Sequence, residues 1–300
     1  THLRIGFSDG FNVTGLSKFR YSSGASSLEL ISNYAKNCNK KIEQIRICAA
    51  GPVENDKIEI TNSNLIISKK EIMRFFKISE VCIFNDAEAA CYYLPEIKPS
   101  SYSTLNRVES KNQNFAYIAL GTGLGVSCVK QHNNKSIVIS GEGGYCHIPY
   151  PVKKNISRDV MDIIENDYPR VSSERLISGP GIELIYEALS TINNSNLKLT
   201  SEEIVANAIV NKKGLEYEAC KILFELLGKF AASVALIYGA RGGVFLSGGL
   251  LERLYDILPN DLILKNFLIP GRMKNYVKQI PLHIINDDLI SLMGCAVYKK

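Results

Sequence analysis

Apolar residues alternate with turn residues from the first positions of the chain. Leu3 to Phe7 is a short strand, and Val13 to Arg20 continues it after a glycine-containing turn, as in a hairpin. Leu28, Ile31, Ala35 and Cys38 then repeat at helical spacing. Gln44 to Ala49 reads as a buried strand, and Lys57 to Ile60 and Leu65 to Ile67 as edge strands around a polar turn. Ser68 with Glu71 has the form of a capping box, which predicts a helix through Phe76. Val81 to Phe84 is the next strand, and Asn85-Asp86 opens a helix over Ala87 to Leu94. Pro95 to Asn114 is polar, proline-containing and serine-rich, and marks a crossover between two lobes.

A second pattern follows. Phe115 to Leu120, Val126 to Lys130 and Ile137 to Ser140 are strands separated by glycine turns. Helices dominate afterwards, over Arg158 to Asn166, Gly181 to Ser190, Glu202 to Val210 and Leu215 to Tyr238, and Thr200 with Glu203 repeats the capping box. Gly243 to Ser247 is a buried strand with a helix from Leu250, Ile280 to Ile285 the last strand, and Leu289 to Tyr298 the last helix. The alternation predicts an α/β protein of two lobes.

Composition narrows the class. Phe230 to Ala240, the longest apolar run, is about half of the ~20 residues that a membrane-spanning helix needs. No basic segment, apolar core and cleavage site stand in series at the start, so no secretory signal is expected. The net charge of +5, from 35 Lys and Arg against 30 Asp and Glu, comes with lysine pairs scattered along the chain. Nucleic-acid binders concentrate such charge on one face, so neither nucleic acid nor membrane is expected as a partner. The eight cysteines form no C-x-x-C, and most lie within apolar segments. They read as reduced thiols of a cytoplasmic protein, without a zinc site.

Candidate chemistry gathers at strand ends. Glycines cluster at Gly10, at Gly121-Thr122-Gly123-Leu124-Gly125, at Gly141-Glu142-Gly143-Gly144 and at Gly248-Gly249. Glycine turns let backbone N–H groups approach an anion closely, and four of them favour a nucleotide over a run of plain hairpins. Neither a Walker A sequence nor a G-x-G-x-x-G that opens a helix is present. Asn85-Asp86 reads either as a helix cap or as a general base, Asp86, beside an orienting amide. Glu142 is a charged residue between glycines, and Glu174 follows Ser172-Ser173 where a helix dipole also suits a carboxylate.

Together, Phe84-Asn85-Asp86, Gly121 to Gly125, Gly141 to Gly144, the run Ser173-Glu174-Arg175-Leu176-Ile177-Ser178-Gly179-Pro180-Gly181 and Gly242 to Gly249 resemble the bacterial-type glucokinases, in order and at closely similar spacing. The resemblance covers nearly the whole chain. It implies the two-lobed, actin-like ATPase (ribonuclease H-like) fold with an interlobe active-site cleft, residues 1–96 plus 287–300 forming the small lobe and 97–286 the large one. It also implies an ATP-dependent hexose kinase acting on the 6-hydroxyl of glucose or a related sugar, with ATP and Mg²⁺ as cofactors and a homodimer as assembly. By the same carry-over Asp86 is the base, and Asn85, Glu142 and Glu174 bind sugar hydroxyls. Gly10, Asn12, Gly121, Thr122, Gly123 and Gly125 hold phosphates, and Gly248 and Gly249 lie near the adenosine.

Three departures stand out. The family's first phosphate loop, Asp-x-Gly-Gly-Thr-Asn, is Phe7-Ser8-Asp9-Gly10-Phe11-Asn12 here, so its Asp is Phe7 and its first Gly is Asp9. A carboxylate about 5 Å from a phosphate charge, at an effective dielectric of about 20, costs about 3 kcal/mol, or about a hundredfold in ATP affinity. Alternatively, Mg²⁺ lies between the two charges and Asp9 is a metal ligand. The family's sugar-contacting His is Tyr145, which still offers a hydroxyl, while His147 stands two residues on as a possible substitute or a plain surface histidine. The Thr-Asn-x-x-Trp segment appears as Thr61-Asn62-Ser63-Asn64-Leu65, without its tryptophan. A sugar-binding or regulatory protein derived from the kinases is the second reading, and a sugar-responsive repressor would need an added helix-turn-helix.

Overall fold

The computed structural model describes residues 2–20, 27–37, 41–60, 65–111, 114–133, 135–149, 154–259, 261–268 and 271–299. Cys38 and Thr61 to Asn64 lie outside them. The chain divides into two compact units, residues 1–96 with 289–300 and residues 97–288.

In the first unit, β1 (His2–Ser8) and β2 (Val13–Arg20) form an antiparallel hairpin whose register breaks between Ile5 and Phe7. Helix α1 (Ser27–Asn37) follows. Strand β3 (Gln44–Ala49) leads into a three-stranded meander of β4 (Val53–Glu54), β5 (Lys57–Glu59) and β6 (Ile66–Ser68). Helix α2 (Lys69–Phe76) comes next, and β7 (Glu80–Asn85) runs parallel to β3 and passes directly into α3 (Asp86–Tyr93). Ser68 is the N-cap of α2 as expected, but its side chain makes no capping bond, so the predicted box does not form there. Lys77 instead ends that helix in the left-handed region, its N–H returning to the Met73 carbonyl.

The chain's last helix (Ile290–Val297) belongs to this unit and packs on α3. Arg46 on β3 holds its end: Nη1 donates to the carbonyls of Cys295 at 3.0 Å and Ala296 at 2.8 Å, supplying a cation and donors where helical carbonyls lack partners. Phe84, Tyr92 and Tyr298 meet edge to face with centroids 4.8 to 5.5 Å apart, sealing the same contact.

The second unit is built on a six-stranded sheet. A short strand, β8 (Tyr102–Thr104), forms its edge inside the segment read as a linker, pairing antiparallel with β13 (Leu282–Ile285). Three residues directly after a 3₁₀ turn carry too little periodicity to be seen in sequence. Strands β9 (Asn114–Leu120), β10 (Leu124–His132) and β11 (Lys135–Gly141) form a meander, and β12 (Gly243–Ser247) lies parallel to both β9 and β13. The order is β11-β10-β9-β12-β13-β8. Helices α4 (Ile156–Asp167), α5 (Ser173–Leu176), α6 (Gly179–Ile192), α7 (Ser201–Val210) and the 24-residue α8 (Leu215–Tyr238) cover it, with α9 (Gly249–Tyr255) after β12. Two shorter helices, α10 (Leu262–Phe267) and α11 (Lys274–Val277), were not legible in the sequence. The Thr200–Glu203 capping box forms in full. Among the described residues no helix is long and apolar enough to cross a membrane.

Gly294 in the last helix is where sequence and packing meet most tightly: a Cβ there would collide with the Ala89 carbonyl of α3. Alanine normally stabilises a helix by about 1 kcal/mol over glycine. Gly294→Ala is nevertheless expected to destabilise, by about 1–3 kcal/mol, because it overpacks this junction. Thermal unfolding checks the sign, and an unchanged or raised Tm would refute the close approach.

Candidate functional site

In the first unit, β7 ends at Asn85 and α3 begins at Asp86, so helix-start chemistry and candidate catalysis share two residues. Asn85 is the N-cap: Oδ1 accepts from Ala87 N at 2.9 Å and Glu88 N at 3.3 Å, and the Glu88 side chain returns to Asn85 N. Its Nδ2 donates to the Gly51 carbonyl at 3.0 Å, fixing the β7 end against the β3–β4 turn. Capping therefore consumes the Asn85 oxygen, and one N–H of its amide remains for a ligand. Asp86 is half-buried and its Oδ1 accepts from Ala87 N at 2.8 Å. Burial raises its pKa, against the opposing pull of that backbone bond.

The turn between β1 and β2 holds Asp9, Gly10 and Asn12 together. Asp9 Oδ1 accepts from Phe11 N at 2.9 Å and Asn12 N at 2.8 Å, and Oδ2 lies 3.3 Å from Asn12 Nδ2. Gly10 N donates to Ser8 Oγ at 2.9 Å. Both carboxylate oxygens are turned into the loop, a geometry that does not favour Asp9 as a metal ligand. Phe7 stacks on Tyr34 with centroids 5.0 Å apart.

In the second unit, the Gly121–Gly125 turn follows β9 and Gly248-Gly249 follows β12. These two parallel strands are neighbours, so both glycine segments lie at the carboxyl ends of the strands, the side on which open α/β sheets bind ligands. Gly248 abuts the backbone of Leu120. Glu174, at the start of α5, reaches the turn: Oε2 accepts from Leu124 N at 3.0 Å and would stand 2.7 Å from a Cβ at Gly123. Gly123 is glycine because Glu174 takes the space of a side chain. Gly179 N donates to the Gly121 carbonyl at 2.9 Å, so the Ser173–Gly181 segment grips the turn at two points.

Glu142 and Tyr145 flank a 3₁₀ turn, with Tyr145 N donating to the Glu142 carbonyl at 3.0 Å. Glu142 and Tyr145 are both exposed, and the charge of Glu174 pushes the Tyr145 hydroxyl above its usual pKa, so these three groups form one polar cluster. His147 is exposed in a backbone bridge with Ser172, as a surface histidine would be. None of the seven described cysteines is in a disulfide, and Cys146 is exposed rather than in the core.

The fit to ATP differs between the turns. Gly121 and Gly249 have no atom within 4 Å of where a Cβ would stand, which leaves room beside them for a ligand, although Gly121 N already donates to the Gly123 carbonyl at 2.9 Å. The first turn does not fit a phosphate as it stands, because the amides of Gly10, Phe11 and Asn12 already have acceptors. No group of three His, Cys, Asp or Glu side chains that would hold a metal occurs among the described residues. Magnesium bound largely by water and phosphate oxygens needs only one or two carboxylates.

A family model for glucokinase matches residues 10–300. The chain belongs to the glucokinase family. Among its curated relatives is a glucokinase of Colwellia psychrerythraea, 29% identical, with the match covering 99% of this chain and 93% of that one. A solved glucokinase from an Antarctic psychrotroph superposes with a TM-score of 0.87 at 25% identity, covering 99% of this chain and 95% of the other. A glucokinase of the ROK family from Streptomyces griseus, solved with glucose and AMPPNP, shares the fold at a TM-score of 0.66 and 16% identity, covering 99% and 95%. The actin-like sugar-kinase architecture expected from the sequence is thus the one observed. Sequence reading did not identify Gly51 as the partner of Asn85, or Leu124 as the partner of Glu174, because such contacts join segments far apart in the chain.

The raised pKa of Asp86 has a stability consequence. A folded-state pKa above the unfolded one means that the native state binds the proton more tightly, so stability falls as pH rises from the ordinary aspartate value through the raised one. Asp86→Asn keeps an acceptor for Ala87 N without the charge. It is expected to have a higher Tm than the parent at neutral pH and to lose that advantage near pH 4. Equal Tm values at pH 7 would contradict a desolvated carboxylate.

Proposed function

We propose that this chain transfers the γ-phosphate of Mg-ATP to the 6-hydroxyl of glucose, with Asp86 as general base. The observation that carries the reading is the Asp86 carboxylate itself, half-buried at a helix start and raised in pKa, in a chain matched by the glucokinase model over nearly its full length. A raised pKa brings a carboxylate closer to the operating pH, where a base is most effective. Asp86 takes the proton of the sugar hydroxyl as that oxygen attacks the γ-phosphorus. Asn85, Glu142, Tyr145 and Glu174 supply the amide, carboxylates and phenol that orient a polyol. The turn at Gly121, Thr122, Gly123 and Gly125 and the backbone at Gly248 and Gly249 receive the nucleotide. Mg²⁺ bound with ATP would supply neutralisation of phosphate charge, and phosphoryl transfer needs such positioning and neutralisation more than covalent chemistry. A cytoplasmic homodimer without membrane or nucleic-acid partners completes the reading.

A catalytically impaired sugar-binding protein is the second reading. The satisfied amides of the β1–β2 turn favour it.

ADP production from Mg-ATP, measured against glucose, mannose, fructose and N-acetylated hexosamines, separates the two. Glucose-dependent ADP is expected, with Asp86→Ala lowering kcat by roughly 10²–10⁴. The acid limb of the kcat profile is expected above the ordinary aspartate value, since protonation at the raised pKa removes the base. A near-normal rate in Asp86→Ala would remove Asp86 from the mechanism, and silence with every sugar would favour the binding protein.

A further inference from the structure

The β1–β2 turn contains an anion seat that is filled from within. Phe11 N and Asn12 N converge on a single oxygen, Asp9 Oδ1, at 2.9 and 2.8 Å, while Gly10 N is taken by Ser8 Oγ and Asn12 Nδ2 by Asp9 Oδ2. Successive amides that converge on one oxygen are what a glycine turn offers to a phosphate. The outer side of the turn is uncovered: Gly10, at φ +98°, has nothing within 4 Å of where a side chain would stand, and Phe11 is 59% exposed. Lys299 adds a cation, with Nζ 4.9 Å from the Phe11 ring centroid. Donors and access are therefore those of an anion site, and the anion is this chain's own carboxylate. The loop's N–H groups hold Asp9 below its usual pKa, so it keeps its charge at neutral pH.

We propose, resting on the kinase reading, that Asp9 is an internal competitor for nucleotide phosphate and sets the affinity of this protein for ATP. A phosphate reaches the amides of Phe11 and Asn12 only by displacing the carboxylate, which stays tethered nearby and repels it. Competition for donors and repulsion between like charges then act in the same direction. A metal-ligand role for Asp9 predicts the opposite sign, because its loss would weaken Mg-ATP.

The test uses the whole chain as parent, Asp9→Asn and Asp9→Gly, each first shown to unfold cooperatively, with binding of Mg-ATP and of magnesium tripolyphosphate measured by calorimetry at 0.05 and 0.5 M salt. Asparagine keeps an oxygen acceptor for the amides without the charge, and glycine removes both. Affinity for both ligands is expected to rise in the order parent, Asn, Gly, by at least about tenfold overall. The ratio between variant and parent is expected to shrink at high salt, as the repulsion is screened. The KM for ATP is expected to fall in the same order, with kcat changed less. Affinities within twofold of the parent would overturn the proposal, as would weaker binding in both variants or a gain in Asp9→Gly alone, which would reflect backbone freedom rather than charge. The ordered gain without glucose-dependent ADP from any of the three proteins would remove the kinase reading and leave the role of Asp9 standing. Glucose-dependent ADP with a flat ATP affinity would do the reverse.

Discussion

Backbone N–H groups at the ends of strands must find acceptors, and at three of the candidate segments of this chain side-chain oxygens supply them. Asn85 and Asp86 serve the first amides of α3, Glu174 serves Leu124, and Ser8 with Asp9 serves the β1–β2 turn. The same donors are what a phosphate or an oxyanion would use, so each side-chain acceptor either builds a site or occupies one. Glu174 builds: by taking Leu124 N and the space beside Gly123, it fixes the glycine turn to α5 and places a carboxylate next to Tyr145. Asp9 occupies. Both carboxylates accept from backbone N–H groups, but Asp9 does so within its own turn whereas Glu174 reaches its turn from α5.

Placement in the fold makes this accounting matter. The turn after β9 and the glycines after β12 fall at one edge of a sheet because the two strands are adjacent and parallel. That adjacency depends on buried runs such as Gly243–Ser247, which leave no polar face to solvent. The last helix returns to the first unit because Arg46 satisfies its terminal carbonyls and Gly294 lets it approach α3. Both are long-range conditions, expressed through a few residues that look unremarkable in sequence.

Much of the fold was legible for that reason and some was not. Val13–Arg20, Gln44–Ala49, Gly243–Ser247 and Leu215–Tyr238 were read with the bounds observed, since each is long or strongly patterned. Strand β8 and helices α10 and α11 were missed, because a few residues held by tertiary contacts have no period of their own. The two S/T-x-x-E patterns show the limit of a local rule: Thr200 with Glu203 closes a full box, while Ser68, identical in pattern, makes no capping bond. At the candidate site, the resemblance to a family names the residues proposed to act. Partners such as Gly51 were not, because a hydrogen bond between segments 34 residues apart has no local signal.

Asp86 and Asp9 also divide the cost of function between them. A carboxylate whose pKa is raised by burial weighs against the folded state at neutral pH, a cost that the proposed role of general base accounts for. Asp9 is exposed and hydrogen-bonded, with its pKa lowered, so it stabilises the turn it sits in. On the proposed reading the first residue gives up stability for chemistry, and the second gains local order by taking up the donors of its own turn. Reactivity at Asp86 and access at Asp9 are then separate physical quantities, governed by desolvation in one case and by competition for backbone donors in the other.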